Sequence, residues 1–270
     1  MFAKLLKHEW KDTAGLLGIL SLCVLGAGVL GGFAIRAIDY FSGKVVNDGM
    51  AAIVAAGFAF LVMGLFMAMV AYAVGTEIYL LYRFYKTRFT DQGYLTFTLP
   101  VSNRSIFLSA YVNILAWLLI SVVTVFAAVV IAIAIGGVFP TEDLEYIMGE
   151  VMYSFEEAGL GWYMVCQFLG SLASAASGVM IMMVSITAGA VVAKKHKILA
   201  AIGIYYGQSI VLGILASVIQ TLLLFLSFSA DVSENAYIAL SCLTYVLQAA
   251  WGVGAYFLSM HLINKKLNLP

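Results

Sequence analysis

Charged residues are few: Asp, Glu, Lys and Arg make up 10% of the 270 residues, while 63% are hydrophobic. An ordinary soluble domain is about 25% charged. A surface in contact with water needs polar cover that this chain does not have. Disorder is excluded as well, because it needs many charges and few apolar side chains. Net charge is zero, whereas neutralising nucleic-acid phosphates takes a basic face, so nucleic acid is not an expected partner. The composition is that of an integral membrane protein.

Cysteine is equally sparse. Cys23, Cys166 and Cys242 all fall inside apolar runs and form no C-x-x-C. They read as small packing residues rather than a disulfide framework or metal site. Catalytic motifs are missing too. There is no G-x-x-x-x-G-K-[ST] to cradle nucleotide phosphates, no H-E-x-x-H and no G-x-S-x-G. No catalytic residue, metal or cofactor is therefore expected in this chain. His8, His196 and His261 are far apart in sequence and read as interfacial residues.

Uninterrupted apolar sequence is what the chain has in abundance. Six runs lack any Asp, Glu, Lys or Arg: 13–35, 49–76, 105–141, 158–193, 198–230 and 235–264. A helix needs about 20 apolar residues to cross the hydrocarbon of a bilayer. Each run suffices for one crossing, and none reaches the roughly 40 that two crossings and a turn would take. The short alternating segments of a barrel are absent. The expected fold is all-α, with six transmembrane helices at about 13–38, 50–81, 105–138, 161–193, 198–228 and 237–263.

Six spans put both termini on one side. That side holds twelve of the fourteen basic residues, leaving only Arg36 and Lys44 opposite, while ten of the fourteen acidic residues lean the other way. By the positive-inside rule both termini are expected to be cytoplasmic. The charged first twelve residues and the long run after them read as an uncleaved first span rather than a signal peptide.

Between the spans, four segments stand out. Residues 1–12 space Phe2, Leu5, Leu6 and Trp10 along one helical face, with Lys4, Lys7, His8 and Lys11 elsewhere. This pattern suits an interfacial amphipathic helix against a lipid surface. Its alternative is a solvated extension of the first span. Residues 82–104 form the largest cytoplasmic segment, opening with Tyr82, Arg83, Phe84, Tyr85 and Lys86 and continuing through Arg88 and Phe89. Gly93 suits a chain reversal, Pro100 stops any helix before it, and Ser102 can cap the third span. Residues 141–158 read as an outer amphipathic helix, with Leu144, Ile147, Met148, Val151, Met152 and Phe155 at helical spacing. Its carboxylates read as a solvated face, since no Asp-rich turn sets a cation geometry. Lys194, Lys195 and Lys197 mark a tight cytoplasmic turn.

The middle of the spans contains no ionisable residue; Glu77, Arg36 and His261 lie near span ends. Coupled proton or sodium transport usually needs such groups at mid-depth, so that class and intramembrane hydrolysis are both disfavoured. The polar residues in or near the spans are Asn113, Gln167, Gln208, Gln220 and Gln248. They either line a translocation path or hydrogen-bond between helices. Gly28 and Gly32 form one G-x-x-x-G, and Gly203 and Gly207 another. Such pairs allow close helix contact, within one chain or between two.

A family resemblance resides in the cytoplasmic segment. Arg83-Phe84-Tyr85-Lys86, then Gly93-Tyr94-Leu95-Thr96, then Thr98-Leu99-Pro100-Val101-Ser102 resembles the loop of permease subunits of type-2 ATP-binding-cassette exporters, in a version common in Gram-positive bacteria. The basic amphipathic start, the terminal Lys265-Lys266-Leu267-Asn268-Leu269 and the six-span layout are similar too. The resemblance implies a multi-pass permease in the bacterial plasma membrane, paired with a second copy or a sibling permease. It also implies a cytoplasmic ATP-binding subunit as partner, which would hold ATP and Mg and do the hydrolysis. Arg83, Phe84, Tyr85, Lys86, Arg88, Phe89, Gly93 and Tyr94 would form the segment that docks on it, and residues 1–12 the elbow. The chain departs from the family in one respect. Only about eight residues join the fifth and sixth spans, too few for a re-entrant gate there. The rival reading is an ATP-independent membrane scaffold or sensor, for which the same aromatic and basic residues are interfacial anchors.

Overall fold

Pro100, the one proline among the described residues, lies just ahead of a helix rather than inside one, so it removes no helical backbone donor. The computed structural model describes residues 2–42, 49–90, 92–93, 98, 100–137, 146, 149–150, 153, 160–193, 195–229 and 234–266. They build six long helices: α1 (Phe2–Ser42), α2 (Gly49–Phe89), α3 (Asn103–Gly136), α4 (Leu160–Val192), α5 (Lys197–Ser229) and α6 (Glu234–Lys266). All six are long and apolar enough to cross a membrane. The chain is an all-α, multi-pass membrane protein.

Two helices run eight or more residues past their sequence-based bounds at one end. α1 is unbroken from Phe2 to Ser42, where the charge pattern suggested a separate segment ending near residue 12. An in-plane helix would need a break at that junction, and Thr13 would be its natural cap. Instead Thr13 is buried and its hydroxyl donates to the carbonyls of Glu9 and Trp10, both at 3.1 Å. That bond belongs to a helix interior. α2 continues to Phe89, about 12 Å beyond the expected span end at 1.5 Å per residue. Residues 141–158, expected to form an outer amphipathic helix, lie largely outside the described residues, as does Tyr94.

The chain divides into two compact units. One comprises Ala3–Leu80 and Val112–Met152. Here α1 packs on α3 through glycines: a methyl on Gly28 would overlap the Ala128 carbonyl, and one on Gly32 would come within 2.6 Å of Ile135 Cβ. Trp10 stacks on Trp117 at 4.9 Å, and the Ser21 and Tyr72 hydroxyls, 2.7 Å apart, join α1 to α2. Val24, Met69, Tyr72 and Ala128 form the core between these contacts. The other unit comprises Met1–Phe2, Leu81–Tyr111 and Tyr153–Pro270. In it α4 packs chiefly against α6 and α5.

The two glycine pairs behave differently. Gly28 and Gly32 are buried in a contact within the chain, whereas Gly203 and Gly207 are exposed on α5 with nothing within 4 Å. Gly28→Ala is expected to cost about 1–3 kcal/mol, the range for overpacking a tight contact. Gly203→Ala should be close to neutral, and thermal unfolding of the two variants in one detergent checks the contrast.

Candidate functional site

α4 carries Gly170-Ser171-Leu172-Ala173-Ser174-Ala175-Ala176-Ser177-Gly178, nine residues of which only Leu172 is large. That stretch lets α6 come close. A methyl on Gly170 would overlap the Tyr245 ring, and one on Gly252 would come within 2.9 Å of Ser177. The close approach brings polar side chains together at three levels. Tyr245 Oη donates to Gln167 Oε1 at 2.6 Å, and Ser174 Oγ donates to Gln248 Oε1 at 2.8 Å. Gln208 on α5 donates to Ser185 Oγ at 3.1 Å and accepts from Trp251 Nε1 at 3.4 Å, so it links α4, α5 and α6. Free thiols Cys166 and Cys242 share a further contact between α4 and α6.

Beside this seam α4, α5 and α6 leave a cleft of about 440 Å³. Its walls are mostly apolar, including Ile181, Leu212 and Leu247, with polar groups from Tyr205, Ser209 and Gln248 and the ring of Trp251. A partly open apolar cavity with a few convergent polar groups is the general form of a small-molecule site.

The basic extension of α2 is built as a stiff arm. Phe84 and Phe89 are buried and meet edge to face at 5.6 Å, and Phe84 meets Phe107 of α3 likewise at 5.9 Å. Arg88 is buried too. It donates to the Ile106 carbonyl at 3.3 Å and to Thr87 Oγ1 at 2.7 Å, and lies 6.0 Å from the Phe84 ring centroid. A buried guanidinium needs such partners to offset its lost hydration. The chain then turns: the Gly93 N–H donates to the Thr90 carbonyl at 2.7 Å, and a methyl on Gly93 would overlap the Arg88 carbonyl. Ser102 caps α3, its carbonyl accepting from the Ser105 and Ile106 N–H groups at 2.9 and 3.2 Å. Asn103 Nδ2 donates to Asn264 Oδ1 at 2.9 Å, tying the start of α3 to the end of α6.

These contacts sort the sequence-derived candidates. Gln167, Gln208 and Gln248 come together in the seam of one unit, while Gln220 is exposed on α5. Asn113 belongs to the other unit, where it is buried and its Oδ1 has no hydrogen-bond partner. In the arm, Phe84, Arg88 and Phe89 face inward; Lys86 is exposed, and Arg83 and Tyr85 are half-buried. At the N-terminus Phe2 and Trp10 are exposed in part, and Leu5 and Leu6 are half-buried. Sequence reasoning missed Ser185, Tyr245 and Trp251 as partners of the glutamines. The small-residue stretch on α4, which holds the further partner Ser174, signals the close approach of α6 on which these bonds depend. Among the described residues no three His, Cys, Asp or Glu side chains come together.

Interhelical hydrogen bonds within membranes average about 0.6 kcal/mol and reach about 1.7. Gln208→Leu, which breaks two of them, is expected to lower stability by about 1–2 kcal/mol on that scale. Gln220→Leu should leave it unchanged, as read by thermal unfolding. No known protein family, curated protein or solved structure matches this chain.

Proposed function

We propose that this chain is the permease subunit of an ATP-binding-cassette exporter in a bacterial plasma membrane, with both termini cytoplasmic. A separate ATP-binding subunit hydrolyses ATP with Mg, and the permease pairs with a second copy or a sibling. One observation carries the reading. The basic, aromatic end of α2 is a helical arm rooted in α3 by Phe84 and Arg88, with Phe89 packed on Phe84, and with its Lys86 side exposed.

Such an arm transmits force. A partner seated on Tyr82 and Lys86 pushes on a helix whose buried root cannot yield independently of α3. The Asn103–Asn264 bond carries the displacement on to the end of α6. α6 in turn forms one wall of the 440 Å³ cleft, which suits an amphipathic substrate such as a peptide, a lipid or a drug-like molecule. The chain itself performs no covalent chemistry in this scheme.

The burial of Phe84 and Phe89 shifts the docking role outward. The contact surface falls to Tyr82, Lys86 and the exposed parts of Arg83 and Tyr85, while Gly93 shapes the turn. A second reading, an ATP-independent scaffold or sensor, draws support from the seam: Gln167, Gln208 and Gln248 all hydrogen-bond between helices, as static packing would have it.

A pull-down of the tagged chain from its native host in mild detergent separates the two readings. A stoichiometric ATPase is expected, and a chain recovered alone favours the scaffold. Tyr82→Ala combined with Lys86→Glu should cut the recovered ATPase about tenfold, the effect of losing a modest interface anchor. Phe84→Ala should instead destabilise the permease, by about 3–5 kcal/mol as for a buried Phe. Normal ATPase recovery with the double variant overturns the docking assignment.

A further inference from the structure

Buried hydroxyls in this chain share one habit, with a single exception among the buried serines and threonines described. From Thr13 on α1 to Ser259 on α6, each bonds to a carbonyl three or four residues back in its own helix. Thr76 on α2 does not. It is 2% exposed, and its Oγ1 has no hydrogen-bond partner. A buried hydroxyl is costly to leave unpaired.

Thr76 lines a cleft of about 430 Å³ between α1 and α2, within one compact unit. Leu16, Leu20 and Val24 form one wall; Ala68, Ala71 and Gly75 form the other. The α2 wall is open at Gly75, where a methyl would meet nothing within 4 Å. Ser21 and Tyr72 already satisfy each other across the two helices. Thr76 is the polar group left over.

We propose that this cleft holds one acyl chain of a bilayer phospholipid, whose ester carbonyl accepts a hydrogen bond from Thr76. Hydrocarbon provides no acceptor, so a lipid satisfies the hydroxyl through its oxygens, and of these the ester carbonyls lie nearest the acyl chains. The position suits them. Thr76 lies at the polar end of its span, adjoining Glu77 and three residues before Tyr79. On α1 the cleft begins at Leu16, just after the charged residues 4–12. There the exposed Lys4, Lys7 and Lys11 outnumber Glu9 and Asp12, leaving a positive excess for a lipid phosphate. This site is independent of the exporter reading.

The test uses the full chain in vesicles of phosphatidylglycerol doped with a phosphatidylglycerol carrying a diazirine on one acyl chain. After irradiation, adducts are mapped by mass spectrometry. They are expected to concentrate on residues 16–27 and 68–79. Gly75→Leu fills the cleft and should reduce those adducts about tenfold, the loss of roughly two buried methylenes. Thr76→Val keeps the shape and should reduce them about two- to tenfold, the value of one net hydrogen bond. Gly57→Leu, at another exposed glycine with nothing within 4 Å, should leave them unchanged and reports on folding along with a monodisperse size-exclusion profile. Adducts spread evenly over all the helices, or unmoved by Gly75→Leu in a monodisperse protein, overturn the proposal. Adducts unmoved by Thr76→Val overturn the hydrogen-bonded site and leave an ordinary lipid contact.

Discussion

Hydrocarbon offers a polypeptide backbone no hydrogen-bond partner. Every N–H and C=O within the bilayer must be satisfied by the chain itself, and a continuous helix does so locally. The remaining architecture follows from that constraint. Six helices free of proline keep their backbone ladders intact, and even most buried serine and threonine hydroxyls turn back onto their own helix. Helices already saturated in this way have little left to attract one another except close packing and a few polar side chains. That is why glycine positions decide the contacts here. Gly28 and Gly32 admit α3 to α1, and Gly170 and Gly252 let α4 and α6 approach each other.

Close packing in turn decides which polar groups meet. Ser174 reaches Gln248 because the small residues around it let the α6 backbone come near. Gln208 reaches both Ser185 and Trp251 because it lies where α5 faces α4 and α6. Gln248 and Trp251 belong both to this seam and to the lining of the cleft beside it. A displacement of α6 would strain those bonds and reshape the cleft at once.

The arm at the end of α2 follows a different logic. Beyond the span the side chains change from aliphatic to aromatic and basic, and the helix does not stop. Phe84 buries against Phe107 of α3 with Phe89 packed on its ring, and Arg88 follows them inward because the Ile106 carbonyl and Thr87 receive it there. Burial of every fourth or fifth residue leaves Tyr82 and Lys86 outside. A stretch whose aromatic and basic residues all read alike as docking candidates is thus two-sided, with an inner root and an outer face.

Six apolar runs, the absence of mid-span charge and the asymmetry of lysine and arginine were all legible in the residues, because crossing a bilayer is a matter of length and transfer free energy along one segment. So were the turn at Gly93 and the cap at Ser102, which depend on neighbours in the chain. The continuity of α1 through Thr13 was not, since a threonine there serves equally as a cap or as an interior residue that bonds backward. Nor was the pairing of the glutamines, the contrast between the packed Gly28 pair and the exposed Gly203 pair, or the inward turn of Phe84 and Arg88. Each of these depends on which faces of two helices meet. Apolar surface is nearly uniform around such helices, so helical periodicity does not mark the buried side, and only the packing of one helix against another does.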